Sequence, residues 1–139
     1  MYPQADVPVV QLSLDTSQPG AFHYALGRKL APLRDEGVLL LGSGNIVHNL
    51  AVWRSGDGKP YDWAQRFDAE VRKRIDAGDH QALADYPSLG ADARMAIPTP
   101  EHYLPLLYAL ACQEKGERAT TMNEQVMTSI SMTSVLIGA

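Results

Sequence analysis

The chain has 139 residues, 45% of them hydrophobic, and a formal net charge of −4, which is typical of one globular domain at most. The mildly acidic balance argues against a nucleic-acid-binding module, which normally carries a basic face. The sequence holds no run of ~18 apolar residues and no basic start followed by a hydrophobic segment. We therefore expect neither a transmembrane helix nor a signal peptide.

The single cysteine, Cys112, excludes a disulfide within the chain and favours a cytoplasmic location. It lies in the apolar helical stretch LLYALACQE. This context predicts a buried small hydrophobe rather than a catalytic thiol, which needs an electropositive and partly exposed site.

The first part of the chain predicts a strand, a helix and a second strand. Residues 7–14, VPVVQLSL, are apolar on both alternating faces, as in a strand covered on both sides. Residues 38–42 form a second apolar run. Between them lies an apolar stripe at helical spacing, formed by Phe22, Leu26, Leu30 and Leu33. The helix should end near Glu36–Gly37. This order predicts a βαβ unit, and hence an α/β fold with a mixed, largely parallel sheet flanked by helices.

The loop after the second predicted strand, GSGNIVHN, is a candidate site because ligands gather beyond the carboxyl ends of such strands. His48 lies in it. A glycine pattern this short does not by itself predict a phosphate site.

The middle of the chain predicts a helix over 61–77. Four residues at spacings of four should pack on the core: Trp63, Phe67, Val71 and Ile75. Three charged pairs four residues apart predict a solvated face: Asp62–Arg66, Asp68–Arg72 and Glu70–Arg74. A turn and a short helical piece follow, and 90–100 are predicted as a loop.

A last helix is predicted over 99–113, with Thr99 as its cap and Pro100 in its first position. Pro105 removes one intrahelical hydrogen bond, so the helix should kink in its first turn or restart at Pro105. In either case His102 lies on an irregular helix start. The final stretch, EQVMTSISMTSVLIG, alternates and predicts one or two strands.

Of the four histidines, His48 and His102 are the functional candidates, and the alternative for each is an imidazole that ties a loop to backbone carbonyls. No HExxH, CxxC or nucleophile-elbow motif is present. His23 is predicted to be structural and His80 to be exposed to solvent. Two carboxylates, Glu101 and Asp15, are also plausible, although both have simple cap or turn roles.

Several stretches resemble the class III extradiol ring-cleavage dioxygenases: MYPQADVPVVQLSLD, GRKLAPLRDEGVLLLGSGNIVHNL, PYDW and PTPEHYLPLLYAL. The most similar group is the DODA-type branch of the LigB superfamily, which is like the 4,5-DOPA extradiol dioxygenases. The resemblance runs from Met1 to the C-terminal SMTSVLIG in the order that the family has.

The resemblance implies that residues 1–139 form the C-terminal portion of a single catalytic domain. Family members are considerably longer. Their N-terminal half carries a His-Gly-Ser-Pro loop and a second histidine, which both belong to the metal site, and neither motif occurs here. We therefore expect the chain alone to be inactive. We also expect it to form oligomers or to be poorly soluble, because the sheet would be cut within the domain.

The resemblance also implies a non-haem Fe(II) site for a catechol substrate and O₂, in which zinc can replace iron in purified samples. His102 matches a metal ligand. His48 matches the acid/base histidine, with metal ligation also implied in the DODA branch. We expect Asn45 and Asn49 to orient the loop or the substrate.

Two alternatives of other classes stand beside this interpretation. One is a non-catalytic α/β binding or interaction fragment without a complete metal site. The other is a small hydrolase, which the absence of a nucleophile motif disfavours.

Overall fold

The computed structural model describes residues 3–55 and 58–138. Helices and small antiparallel sheets make up this part of the chain. Its α-helices are α1 (Gly20–Leu30), α2 (Asp62–Asp76), α3 (His80–Ala84), α4 (Ala91–Ala96) and α5 (Leu104–Ala111). Its strands are β1 (Ala119–Met122), β2 (Val126–Met127), β3 (Ile130–Ser131) and β4 (Ser134–Ile137). Short 3₁₀ turns cover Ala31–Arg34, Trp53–Ser55 and Tyr86–Leu89.

The core lies between α2, α4 and α5 and is almost wholly apolar. Its largest buried side chains are Phe67, Val71, Ile75, Leu83, Tyr103, Leu104, Leu107 and Leu110. Cys112 is buried beside them, as predicted, and burial raises the pKa of its thiol. No helix in the described part of the chain is long and apolar enough to cross a membrane.

Helix α1 packs on α5 through a face that the sequence did not predict. The predicted stripe is wrong at Phe22, which is 44% exposed, whereas His23 and Gly27 are buried. A Cβ atom on Gly27 would lie 2.7 Å from the Ala111 Cβ, so the two helices approach each other at a glycine. After the 3₁₀ turn, Gly37 has a φ of 79° and ends the segment at the predicted position.

Helix α2 confirms the predicted core stripe at Phe67, Val71 and Ile75. The prediction of a fully solvated charged face is wrong at Asp68, whose side chain is only 1% exposed and pairs with Arg72 inside the protein. Helices often bury a stripe wider than one residue per turn, and Asp68 directly follows Phe67 at the edge of that stripe.

The last helix begins later than predicted. Thr99 does not cap it, and α5 starts at Leu104 with Pro105 in its first turn. The helix therefore restarts at the proline, which is one of the two predicted outcomes. His102 lies in the turn before it. The predicted loop over 90–100 is wrong in part, because α4 occupies six of these residues.

The described residues contain antiparallel ladders and not the predicted parallel sheet. The strands pair as two antiparallel ladders, β1 with β4 and β2 with β3. Residues 7–14 and 38–42 are not strands, and no backbone hydrogen bond joins them within the described residues. Their side chains are largely exposed, with Val10 at 93% and Leu41 at 78%. A strand needs a neighbour for its N–H and C=O groups, and the described residues supply none to either run.

Candidate functional site

The loop that carries His48 is fixed by backbone hydrogen bonds on both of its sides. The His48 N–H donates to the Ala96 carbonyl at the end of α4, at 2.9 Å. His48 also forms an isolated antiparallel bridge with Ile130 of β3. A short helix and a short strand therefore hold the backbone of this residue, although the loop itself has no regular structure.

Two glycines bring this loop into contact with the turn that carries His102. A Cβ atom on Gly44 would collide with the His102 carbonyl oxygen, and one on Gly42 would lie 2.7 Å from the Pro105 oxygen. The Asn45 N–H donates to the His102 carbonyl at 2.8 Å. Only residues without a side chain permit so close an approach of two backbones, which explains the glycines of GSGN.

The imidazoles of His48 and His102 stack on each other. Their ring centroids are 3.5 Å apart and their planes differ by 21°. Two residues that are 54 positions apart in the sequence thus form one partly exposed pair. The structure brings together the two histidines that the sequence singled out.

Burial and the neighbouring His102 lower the pKa of His48. Two protonated imidazoles at this separation would repel each other, which disfavours the doubly charged pair. A neutral imidazole can accept a proton or ligate a metal through its free nitrogen.

Glu101 adds a carboxylate at the edge of the pair. Its Oε1 lies 3.9 Å from His102 Nε2, and Thr99 donates a hydrogen bond to the same oxygen at 2.7 Å. The Thr99 hydroxyl lowers the pKa of Glu101. Asp15, the other candidate carboxylate, accepts hydrogen bonds from Ser17 in an exposed turn.

Asn45 and Asn49 both hold the loop through their side-chain amides. Asn45 Nδ2 donates to the Ser131 carbonyl at 2.7 Å, and Asn49 Nδ2 donates to the Met95 carbonyl at 2.8 Å. Asn49 is buried and its Oδ1 has no hydrogen-bond partner among the described residues. Both side chains thus bond to backbone carbonyls outside the loop, and their role in orienting the loop or the substrate stays a prediction.

The two remaining histidines lie in other contacts. His23 is fully buried, with Nδ1 against the Tyr108 hydroxyl and Nε2 against the Asp15 carbonyl, as expected for a structural residue. The predicted solvent exposure of His80 is wrong. Its Nδ1 lies 3.0 Å from the Tyr24 hydroxyl, its Nε2 is buried, and burial lowers its pKa.

The His48–His102 pair fits part of a metal site. Neutral imidazoles are common ligands of Fe(II) and Zn²⁺, and the lowered pKa of His48 keeps its nitrogen available. However, the described residues contain no group of three or more His, Cys, Asp or Glu that could hold a metal ion. Lone pairs lie in the ring planes, so nearly parallel rings direct them side by side rather than at one point.

Comparison with known proteins gives a family match over almost the whole chain. The model of the family described as "Catalytic LigB subunit of aromatic ring-opening dioxygenase" matches residues 1–136. A 4,5-DOPA dioxygenase extradiol of Escherichia coli K12 is 46% identical over 99% of this chain. A protein of the same name from Beta vulgaris is 38% identical over 86% of the chain.

A solved structure gives the same result for the fold. An uncharacterized protein from Escherichia coli K12 superposes with a TM-score of 0.87 at 44% sequence identity over 97% of this chain. The chain spans 52% and 44% of the lengths of the two dioxygenases and 57% of the solved chain. The similarity therefore covers this chain and about half of each of these relatives.

Proposed function

Because the chain belongs to the LigB family of aromatic ring-opening dioxygenases and is DODA-like, we propose that it forms the C-terminal portion of an extradiol dioxygenase domain. The domain opens the ring of a catechol with a non-haem Fe(II) and O₂. The observation that carries this proposal is the stacked His48–His102 pair, held by the close approach of two backbones at Gly44.

His102 acts as a metal ligand in this proposal. It lies in a turn that is fixed on one side by Asn45 and on the other by the start of α5. Fe(II), held in part by His102, would supply the redox chemistry for the reaction of a catecholate with O₂. Zn²⁺ suits the same imidazole but does not support the redox step.

His48 acts in proton transfer and can also serve as a second ligand. Its lowered pKa leaves the imidazole neutral near pH 7, so it can take a proton from a catechol hydroxyl and return one later. Asn45 and Asn49 keep the loop in place through their bonds to Ser131 and Met95. One ring of the pair has to turn if both histidines are to ligate one ion.

The remaining ligands come from polypeptide that corresponds to the unmatched half of the relatives. Two imidazoles are too few for a tight divalent-metal site. The chain by itself should therefore bind Fe(II) weakly and lack activity.

The buried, unpaired Cys112 suits a reducing compartment, so we place the protein in the cytoplasm.

A chimera tests this proposal. The unmatched part of the Escherichia coli relative is joined to this chain, and oxygen uptake is measured with Fe(II) and catechols, beside the intact relative. We expect catechol-dependent uptake by the chimera and none by the 139-residue chain. His102→Ala should abolish Fe(II) binding, whereas His48→Gln should retain iron and lose about a hundredfold or more in kcat.

His80→Gln is the matched control, since it changes a histidine outside the site and should leave uptake unchanged. A folded, iron-loaded chimera without uptake, beside an active relative, would favour the non-catalytic binding fragment. Oxygen uptake by the homogeneous 139-residue chain would contradict the claim that it is inactive alone.

A further inference from the structure

The carboxylate of Asp68 is the most deeply buried charge among the described residues and has three side-chain donors. It is 1% exposed. Its Oδ1 accepts hydrogen bonds from the Ser131 and Thr133 hydroxyls, and its Oδ2 accepts one from Arg72 Nε at 2.9 Å. Arg72 also reaches Glu124 at 2.7 Å. The carboxylate is therefore paired with Arg72, and protein donors replace the water that would surround it at the surface.

Ser131 connects this carboxylate to the loop that carries His48. Its N–H donates to the Val47 carbonyl at 2.9 Å, and its own carbonyl accepts from Asn45 Nδ2 at 2.7 Å. Its neighbour Ile130 forms the bridge with His48. Strand β3 thus contacts the loop at Asn45 and Val47, on both sides of Ile46. The side chain of Ser131 in the same strand bonds to Asp68.

We propose that Asp68 is a positioning residue, which sets the place of the His48 imidazole through Ser131 and β3. An ionised carboxylate only accepts hydrogen bonds. Both hydroxyl hydrogens must point at it, which leaves the Ser131 oxygen free to accept the Thr133 N–H at 3.1 Å. The carboxylate therefore fixes the direction in which the Ser131 and Thr133 hydroxyls donate.

Stability alone does not require a charge at this position. A buried ion pair is often no more stable than apolar residues of similar volume, because desolvation offsets the attraction. β3 has only two residues, so its ladder with β2 cannot hold it firmly. The bond from Ser131 to Asp68 of the long helix α2 supplies the missing constraint on β3. The bridge between Ile130 and His48 extends this constraint to His48. Its importance for catalysis rests on the proposed function, whereas the positioning itself does not.

The experiment uses the metal-free 139-residue chain, so its outcome does not depend on dioxygenase activity. Ring-proton chemical shifts of His48 and His102 report the stacking of the two imidazoles, and hydrogen exchange at the His48 amide reports its bond to Ala96. Both are measured at one pH and well below the melting temperature. A merely structural role would lower the melting temperature without moving the ring-proton shifts of the native state.

We expect Asp68→Asn to move both sets of ring shifts and to lower protection of the His48 amide by about tenfold or more. An amide presents an N–H₂ group either to Arg72 or to the two hydroxyls, so one side of the network must break. Ser131→Ala removes only the hydroxyl that joins β3 to Asp68 and should act in the same direction. The double variant should show little more than either single change, because both break one connection.

Glu70→Gln is the matched control: it neutralises a carboxylate on the same helix, which also pairs with an arginine four residues on. It should leave the ring shifts and the His48 protection unchanged. If Asp68→Asn does not fold, Ser131→Ala decides the question. Unchanged ring shifts and protection in a folded Asp68→Asn or Ser131→Ala chain would overturn the proposal.

Discussion

Gly44 determines how closely the loop that carries His48 approaches the turn that carries His102. There is no space for a methyl group on Gly44, because a Cβ atom there would collide with the His102 carbonyl oxygen. The hydrogen bond from Asn45 to that carbonyl depends on the same approach. The absence of a side chain at Gly44 is therefore a condition for the close backbone approach beside the stacked imidazoles.

Gly44→Ala should separate the two segments and disrupt the imidazole stack. We expect a loss of about 1–3 kcal/mol in the free energy of unfolding, as for other overpacked sites. Urea titration measures this loss, and the His48 ring-proton shifts report the stack. Ser43→Ala, a substitution at the exposed preceding position, is the control. Native stability and unchanged ring shifts in the Gly44→Ala variant would contradict this explanation.

At the scale of elements, an ion pair joins the end of the first helical segment to the chain after α5. Both terminal guanidinium nitrogens of Arg34 contact the Glu117 carboxylate, at 2.6 and 2.8 Å. Arg34 also donates to the Cys112 carbonyl, and the Glu114 N–H donates to Glu117. These bonds provide hydrogen-bond partners for backbone groups of Cys112 and Glu114, where the chain leaves α5 and turns toward β1.

This ion pair predicts a stability change in acid. Hydrogen bonds from Arg34 lower the pKa of Glu117 from 4.5 to about 2. A carboxylate whose pKa is lower in the folded state stabilises the protein above its unfolded pKa, and the contribution disappears as the pH falls through about 2. The free energy of unfolding should therefore decrease as the pH falls from about 4.5 to about 2.

Glu117→Gln should lower the unfolding free energy at about pH 7 and flatten its fall in acid, so the two curves should converge near the low end. Chemical denaturation across this pH range provides the measurement. Glu36→Gln changes an exposed carboxylate that makes no ion pair in the described part of the chain, and it should follow the parent curve. Parallel curves for the parent and Glu117→Gln would refute the linkage.

At the scale of the whole molecule, two extended apolar runs lie open to solvent. Val9 and Val10 are 88% and 93% exposed, and Leu39 and Leu41 are 71% and 78% exposed. Helix α1, which connects the two runs, packs on α5 through a face that contains His23 and Gly27, and it exposes Phe22. A globular protein rarely leaves so much aliphatic surface in water unless another surface covers it.

We expect the 139-residue chain to self-associate through these runs. Sedimentation velocity at increasing protein concentration should show species larger than a monomer, and Val10→Lys with Leu41→Lys should shift the population to monomer. Leu136→Lys changes an apolar residue of β4 that is 46% exposed and is the control. A parent chain that stays monomeric at every concentration would refute this expectation.

Local patterns predicted much of the fold and of the site. The spacing of Phe67, Val71 and Ile75 predicted the buried face of α2, since helical periodicity is written in neighbouring residues. His48 was marked as a candidate by its place in the glycine-containing loop, and His102 by its place between two prolines at an irregular helix start. Their contact was not predictable from spacing, because it depends on how two distant segments pack.

Each wrong prediction has a physical cause. Asp68 looked like a surface residue because its partners, Ser131 and Thr133, lie 63 and 65 residues further along the chain. The buried face of α1 was missed because it is built from a histidine and glycines, which carry little hydrophobic signal. The parallel sheet was predicted from two apolar runs. An apolar run indicates that a segment tends to be buried, but it does not show which segment covers it.

The sequence by itself determined the helical segment at α2, the glycine loop, the two histidines and the family to which the chain belongs. Only the tertiary structure decided that the imidazoles stack, that Asp68 is bonded to the strand beside their loop through Ser131, and that the two apolar runs stay unpaired within the described residues. The physical reason is the range of the forces. Periodicity and backbone sterics act within a few residues, whereas a buried charge, a ring contact or a strand pair requires a partner brought from far along the chain.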